Sequence, residues 1–61
     1  MMRQQFTVKV DGQIVFTGYN GKQAKNTFNE HDKKARRETG SHVLLMQDGQ
    51  VVRDNKEIRH G

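Results

Sequence analysis

The sequence contains no cysteine, no proline and no tryptophan among its 61 residues. Without cysteine the chain has no disulfide and no thiolate metal ligand, and because small secreted domains usually depend on disulfides, we expect a cytoplasmic protein. The lack of proline, together with clear strand and turn patterns, argues against a disordered chain. The longest apolar run, residues 43–46, is too short for a membrane span or the core of a signal peptide. The sequence therefore predicts neither a membrane partner nor a targeting segment.

Apolar residues are also scarce, and the two signs of charge are unequal in number. Hydrophobic residues make up 31% of the chain, and the mean hydropathy is −1.03. A chain this short buries only about 60% of its unfolded surface, so we predict one domain of marginal stability over residues 1–61.

Lysine and arginine number 11 against 7 aspartates and glutamates, which gives a net charge of +4 at pH 7. This excess favours acidic partners such as nucleic acid, an anionic surface or an acidic protein.

One short phrase occurs twice in the chain. Asp-Gly-Gln, followed by Ile or Val and then by Val, fills residues 11–15 and again residues 48–52. Asp-Gly between apolar segments is a strong signal for a β-hairpin turn. The phrase has neither the glycine spacing of a phosphate-binding loop nor the acidic density of a calcium loop. We therefore interpret it as a repeated turn with no ligand of its own.

The first hairpin, residues 5–18, has two possible registers. A two-residue turn pairs Lys9 with Ile14, whereas a three-residue loop with a left-handed Gly12 pairs Val8 with Ile14. The three-residue loop gathers four apolar side chains on one face: Phe6, Val8, Ile14 and Phe16. We predict this second register, because a slip of one residue would turn both aromatic rings toward water.

The segment between the hairpins predicts a helix over residues 21–38. Asn20 is a favourable N-cap, and Gly40 suits the position just after the end of a helix. The expected inner face has one bulky side chain among small or polar ones: Ala24, Thr27, Phe28, His31 and Ala35. Phe28 should therefore anchor the helix against the sheet.

The second hairpin is predicted to pair residues 41–47 with residues 50–54, and residues 55–61 are expected to form a loosely held tail. The register chosen for the first hairpin directs three side chains inward: Val43, Leu45 and Val51. It leaves three others on the opposite face: Leu44, Met46 and Val52. Because so small a core would gain stability from association, these three predict a contact with a second copy or a partner protein. Scattered surface residues are the alternative interpretation.

Together these elements predict an α+β domain with the order ββαββ. Two hairpins with Asp-Gly turns flank one helix, which packs on one face of a four-stranded sheet. Two strand orders satisfy this pattern. One is 2-1-3-4 with all strands antiparallel, and the other is a ubiquitin-like order with the first and last strands parallel and central. The sequence does not choose between them.

The residues that could catalyse a reaction or bind a metal are dispersed. The histidines at positions 31, 42 and 60 include no closely spaced pair of the kind that binds zinc. Ser41 and His42 are neighbours on a strand, so their side chains point to opposite faces. A core this small also leaves little room for a pocket. We therefore predict a non-enzymatic protein with no catalytic residues, no metal, no cofactor and no small-molecule substrate.

The strongest charged feature is one side of the predicted helix. At about 100° per residue, seven cationic or amide side chains share an arc of about 120° on the side away from Phe28. This set, which we call the basic stripe, consists of Lys22, Lys25, Asn26, Asn29, Lys33, Arg36 and Arg37. No acidic residue falls within the arc, and a charge of one sign predicts contacts with phosphates. A solvated helix face is the alternative interpretation. Tyr19 is the one good candidate for exposed stacking on bases.

The line FTVKVDGQIVFTGYNGKQAKNTFNEH, residues 6–31, resembles small, largely uncharacterised proteins encoded by phages and related mobile elements. Such proteins often join a hairpin with an Asp-Gly turn to a helix with an alanine and a phenylalanine, which Ala24 and Phe28 match. The resemblance implies a short regulatory or host-directed role and no catalytic residues. The leading prediction is thus a small basic binding or regulatory protein with nucleic acid as its partner. The alternative is a protein-interaction module, either an inhibitor or an accessory subunit.

Overall fold

Residues 4–56 are described by a computed structural model of the chain. The elements are β1 (Phe6–Val10), β2 (Gln13–Gly18), α1 (Gly21–Lys34), a π-helical turn (Ala35–Thr39), β3 (Val43–Gln47) and β4 (Gln50–Asp54). Their order confirms the predicted ββαββ arrangement and the α+β class.

The four strands form a single antiparallel sheet in the order β2-β1-β3-β4. This is one of the two strand orders that the sequence allowed, and it excludes the ubiquitin-like order. β1 and β3 are central, so β2 and β4 are the edges. The helix crosses one face of the sheet and has its main contacts with β1, β3 and β2. The helix-facing side of β4 is therefore the least covered part of that face.

The core lies between the helix and the two central strands. Its buried members are Val8 on β1, Ala24, Phe28 and Ala35 on the helical segment, and Val43 and Leu45 on β3. Three partly buried side chains pack against this cluster: Phe6, Val10 and Phe16. Phe28 is only 2% exposed, which confirms it as the anchor of the helix.

Side-chain and backbone caps define the two ends of the helical segment. The Asn20 Oδ1 accepts hydrogen bonds from the backbone N–H groups of Lys22 at 3.0 Å and Gln23 at 3.1 Å, which confirms the predicted N-cap. At the other end, the Gly40 N–H donates to the Ala35 carbonyl at 2.7 Å and closes the π-helical turn. Gly40 has a φ of 68°, the left-handed conformation expected after a helix end.

The first hairpin has a two-residue turn, so the three-residue loop predicted from the sequence is wrong. Asp11 and Gly12 both have positive φ, at 51° and 87°. Aspartate tolerates this conformation because its short polar side chain can hydrogen-bond locally, and two such residues in succession make a turn that matches the twist of the strands. Lys9 therefore pairs with Ile14, and Ile14 is 60% exposed instead of buried.

A β-bulge on β2 restores the apolar alternation before the strand ends. Val15 has no partner on β1, so Phe16 pairs with Val8 and packs against the core. The predicted burial of Phe16 is thus confirmed, although it is reached by a different register. The extra residue turns the aromatic ring back toward the helix after the two-residue turn has turned Ile14 away.

The second hairpin repeats the turn and the bulge. Asp48 and Gly49 have φ values of 52° and 84°, Met46 pairs with Val51, and Val52 is the unpaired residue of the bulge. Val51 therefore lies beside Met46, on the face to which the sequence had assigned Val52. The predicted inward position of Val51 is corrected in the same way, since it is 50% exposed.

Asn55, which the sequence assigned to a loosely held tail over residues 55–61, is instead tied to the sheet. The Asn55 Oδ1 accepts a hydrogen bond from the Val43 N–H at 2.9 Å, and the Asn55 Nδ2 donates to the Ser41 carbonyl at 3.1 Å. Asn55 thus ties the end of β4 to the start of β3. Residues 57–61 lie outside the described part of the chain.

Candidate functional site

All seven residues of the basic stripe are exposed to solvent. Lys22, Lys25, Asn26, Asn29 and Lys33 lie on α1, and Arg36 and Arg37 lie on the π-helical turn. From Lys22 to Lys33 the helix rises about 17 Å at about 1.5 Å per residue. The structure thus leaves the whole predicted stripe accessible to a partner.

One member of the stripe is neutralised by a neighbour. The Arg36 Nη2 lies 3.3 Å from the Asp32 Oδ2, and its Nε donates to the Asp32 Oδ1 at 3.3 Å. The remaining four cations make no ion pair with an acidic residue among residues 4–56: Lys22, Lys25, Lys33 and Arg37. Their charges are therefore the ones available to a ligand.

The π-helical turn changes the angular position of the last two cations. The arc of the stripe assumed a regular α-helix over residues 21–38, but residues 35–39 close with i to i+5 hydrogen bonds. Each residue of such a turn advances by less than the α-helical angle. Arg36 and Arg37 therefore do not continue the line of the α1 lysines at the predicted angles.

A groove runs between the first half of α1 and the β4 edge of the sheet. We call it the β4 groove; its volume is about 490 Å³. Its lining residues are Phe6, Gly21, Lys22, Lys25, Leu45, Gln47, Val52 and Arg53. Cations thus stand on both sides, two from the helix and one from β4, and no carboxylate among residues 4–56 lines the groove.

Arg53 was not among the residues that the sequence singled out. It pairs with Leu45 across β3 and β4, because the bulge at Val52 shifts the register by one residue. Without the bulge, alternation would assign Arg53 to the other face of the sheet. The sequence signal for its position is the repeated phrase itself, which produces the same bulge in both hairpins.

A smaller groove lies on the opposite flank of the helix, beside the first hairpin. We call it the β2 groove; its volume is about 290 Å³. Its lining residues are Val10, Asp11, Gln13, Val15, His31, Lys34, Thr39 and Ser41. It differs from the β4 groove in carrying a carboxylate. A hydrogen bond from the His42 backbone N–H, and a weaker contribution from the Ser41 side chain, hold the pKa of Asp11 below its usual 3.8. The groove therefore retains a negative charge.

The face of the sheet away from the helix carries the second candidate site. Four apolar side chains share this face: Ile14, Leu44, Met46 and Val51. Val51 pairs with Met46, whereas Lys9 lies between Ile14 and Leu44. Leu44 and Met46, both predicted as interface residues, are half-buried on this face. Val52, the third predicted interface residue, instead lines the β4 groove. We call the four-residue apolar set the open face.

The titratable side chains in the described part of the chain do not form a metal centre. His42 Nε2 lies 2.6 Å from Asp54 Oδ1, but no third ligating side chain joins them among residues 4–56. No helix there is both long and apolar enough to cross a membrane. No protein-family model, curated protein or solved structure matches the chain.

Proposed function

We propose that the protein binds nucleic acid through the basic stripe and Arg53, by contacts with backbone phosphates. The observation that carries this proposal is the convergence of Lys22 and Lys25 on the helix with Arg53 on β4 across one groove. If the outer face of the helix served only solubility, side chains of both charge signs would serve as well as side chains of one sign. Lys22, Lys25 and Arg53, which form no ion pair with a carboxylate among residues 4–56, instead present positive charge from two separate elements, which attracts phosphates.

The dimensions of this surface suit a polyanion with repeated charges. The lysines of the stripe extend about 17 Å along α1, and Arg53 widens the surface toward the sheet edge. Asn26 and Asn29 lie among the lysines and offer amide donors to phosphate oxygens. A single bound anion would need only one end of this surface, whereas a nucleic acid backbone engages its full length.

Salt-dependent binding to a DNA duplex tests the proposal. With about four phosphates neutralised, log K should fall with log salt at a slope near −3.6, with a Kd of about 10⁻⁴ to 10⁻⁶ M at physiological salt. The double change Lys33→Glu with Arg37→Glu should shallow the slope by roughly 1.8, since it removes two contacts. These two cations are chosen because Asp32 already neutralises Arg36.

A charge-matched variant serves as the control. Lys9→Glu with Lys34→Glu changes the net charge by the same amount, but Lys9 pairs with Leu44 on the open side of the sheet and Lys34 lines the β2 groove. This control should bind nearly as the parent does. An equal loss of affinity in both double variants would show that binding depends only on net charge. An unchanged slope in the folded stripe variant would contradict the proposal.

A protein-interaction role through the open face is the second candidate function. Ile14 and Val51 are 60% and 50% exposed and lie on the same face as the half-buried Leu44 and Met46. Exposed apolar side chains grouped on one face are typical of surfaces that contact another protein. A short regulatory or host-directed role, as the resemblance to phage-encoded proteins implies, is compatible with this surface as well as with nucleic acid binding.

A further inference from the structure

We propose that the β4 groove holds an unstacked nucleobase, so that the protein prefers single-stranded nucleic acid to duplex. The inference rests on the proposed function, because the same cations bind the backbone on either side of the base. It adds a role for the apolar floor of the groove. That floor consists of Phe6, Leu45 and Val52.

The apolar floor is open because of the bulge on β4. Val52 is the unpaired residue there and is 52% exposed, although it lies beside the buried Leu45. Phe6 also lines the groove, and its ring would lie only 3.1 Å from a Cβ at Gly21. The missing side chain at Gly21 lets the ring approach the first turn of α1. An aromatic ring and two aliphatic side chains thus meet in a recess that a flat apolar ligand could cover.

Polar groups surround this floor in an arrangement that suits a nucleotide. Lys22 and Lys25 lie on one side and Arg53 on the other, so a phosphate attached to a bound base is met by a cation on either side. Gln47 lines the groove as well, and its amide offers both a donor and an acceptor to the edge of a base. The volume of about 490 Å³ falls within the range of about 300–1,000 Å³ that is usual for small-ligand sites.

Single strands fit this groove better than duplexes do. In a duplex, both faces of each base are covered by its neighbours, and only an unstacked base can place a face on protein side chains. An acidic peptide would satisfy the three cations, but it would supply no planar group at regular intervals along a chain of anions. A single-stranded nucleic acid supplies both, and its backbone would continue onto Lys33.

The two bulges provide a matched pair of variants. Val15 and Val52 occupy the same position in the two repeated phrases, each is the unpaired residue of its bulge, and they are 43% and 52% exposed. Val15 lines the β2 groove, which contains the Asp11 carboxylate. A Val→Asp change alters the net charge equally at the two sites, which are similarly exposed, and only the Val52 change introduces a carboxylate into the β4 groove.

The experiment measures the anisotropy of four labelled probes at one low salt concentration: dT15, rU15, a 15-base-pair DNA duplex and poly-L-glutamate. We expect dT15 or rU15 to bind at least about fivefold more tightly than the duplex, as one stacked base is worth about that factor or more. Binding of either single strand above the duplex supports the proposal, and the two arms distinguish DNA from RNA. Val52→Asp should abolish the preference, and Val15→Asp should retain it.

A second variant guards against a failure of Val52→Asp to fold. Arg53→Gln removes the charge and leaves a shorter polar side chain, and it should weaken single-strand binding more than duplex binding. Equal binding of single strands and duplex, unaffected by both changes, overturns the base-binding inference while the proposed function stands. Binding of poly-L-glutamate as tightly as dT15 also overturns it, in favour of an acidic protein. Failure of every nucleic acid probe to bind overturns the proposed function itself.

Discussion

Asp11 and His42 exchange two hydrogen bonds between the first turn and the start of β3. The Asp11 Oδ1 accepts from the His42 N–H at 2.9 Å, and the Asp11 N–H donates to the His42 carbonyl at 2.8 Å. The second turn does the same with the start of β1: the Gln5 N–H donates to the Asp48 Oδ1 at 3.0 Å, and the Asp48 N–H donates to the Gln5 carbonyl at 2.8 Å. The repeated phrase is therefore a repeated structural unit that comprises a turn, a clamp on the neighbouring strand and a bulge.

The clamp at Asp11 predicts a loss of stability in acid. Because hydrogen bonds lower the pKa of this carboxyl in the folded state, its contribution is fully present above its usual pKa of 3.8 and is lost as the pH falls below that value. Asp11→Asn keeps an acceptor for the His42 N–H and removes the charge. The parent should therefore exceed this variant in free energy of unfolding at pH 7, and the difference should shrink by pH 3.

Urea unfolding at a series of pH values between 7 and 3 measures this difference. Glu30→Gln is the control, since Glu30 is an exposed carboxylate on α1 outside both clamps. Its difference from the parent should depend on pH less than that of Asp11→Asn. A gap between parent and Asp11→Asn that stays constant from pH 7 to pH 3 would contradict the role given to the carboxylate.

The two turn glycines should each resist replacement by alanine. Gly12 and Gly49 have φ values of 87° and 84°, and a Cβ at either position would meet no atom within 4 Å. The cost of about 1 kcal/mol in the free energy of unfolding thus comes from the backbone conformation alone. Gln13→Ala and Gln50→Ala, at the exposed positions that follow each glycine, should cost less. Lower melting temperatures for the two glutamine variants than for the two glycine variants would refute this account.

Phe28→Ala should remove most of the stability of the domain. Its ring is only 2% exposed, and loss of a buried phenylalanine costs about 3–5 kcal/mol. At about 0.05–0.15 kcal/mol per residue, 61 residues supply about 3–9 kcal/mol in total. Phe28→Leu retains much of the apolar volume and should lose less. Circular dichroism during urea unfolding compares the two, and an alanine variant as stable as the parent would contradict the packing of the helix.

The elements of the fold follow from local signals in the sequence. Asp-Gly marks both turns, Asn20 begins the helix and Gly40 follows its end, because each acts through the backbone of its immediate neighbours. The helix anchor Phe28 also follows from periodicity. These signals are local, so they do not depend on how the hairpins and the helix assemble.

The register of the hairpins, and with it the positions of Val52 and Arg53 in the candidate site, depends on features that local patterns do not reveal. A left-handed Asp11 is as compatible with the sequence as an ordinary one, and a bulge leaves the alternation readable in two ways. The error at Ile14 and the misplacement of Val52 both arise from this ambiguity. Arg53 was missed for the same reason, since its position beside Lys22 and Lys25 requires both the bulge and the packing of the helix.

The second candidate function predicts association through the open face. An antiparallel sheet with a helix on one side usually has a solvated second face, yet here the exposed Val51 lies beside Met46, and the exposed Ile14 is on the same face. Sedimentation velocity should therefore detect a dimer at high protein concentration. Leu44→Lys should dissociate it, because a charge in the middle of the contact would lose its hydration. Leu44 is only half-buried in the single chain, so the fold should survive this change.

Val15→Lys is the matched control for the association experiment. Val15 is an exposed apolar residue on the same hairpin as Ile14, but it lines the β2 groove and lies outside the open face. This variant should dimerise as the parent does, and the circular dichroism of both variants should match that of the parent. A parent that sediments as a monomer at high concentration would contradict self-association through the open face. Dissociation by both lysine variants would assign the effect to added charge, because only Leu44 lies on the proposed contact.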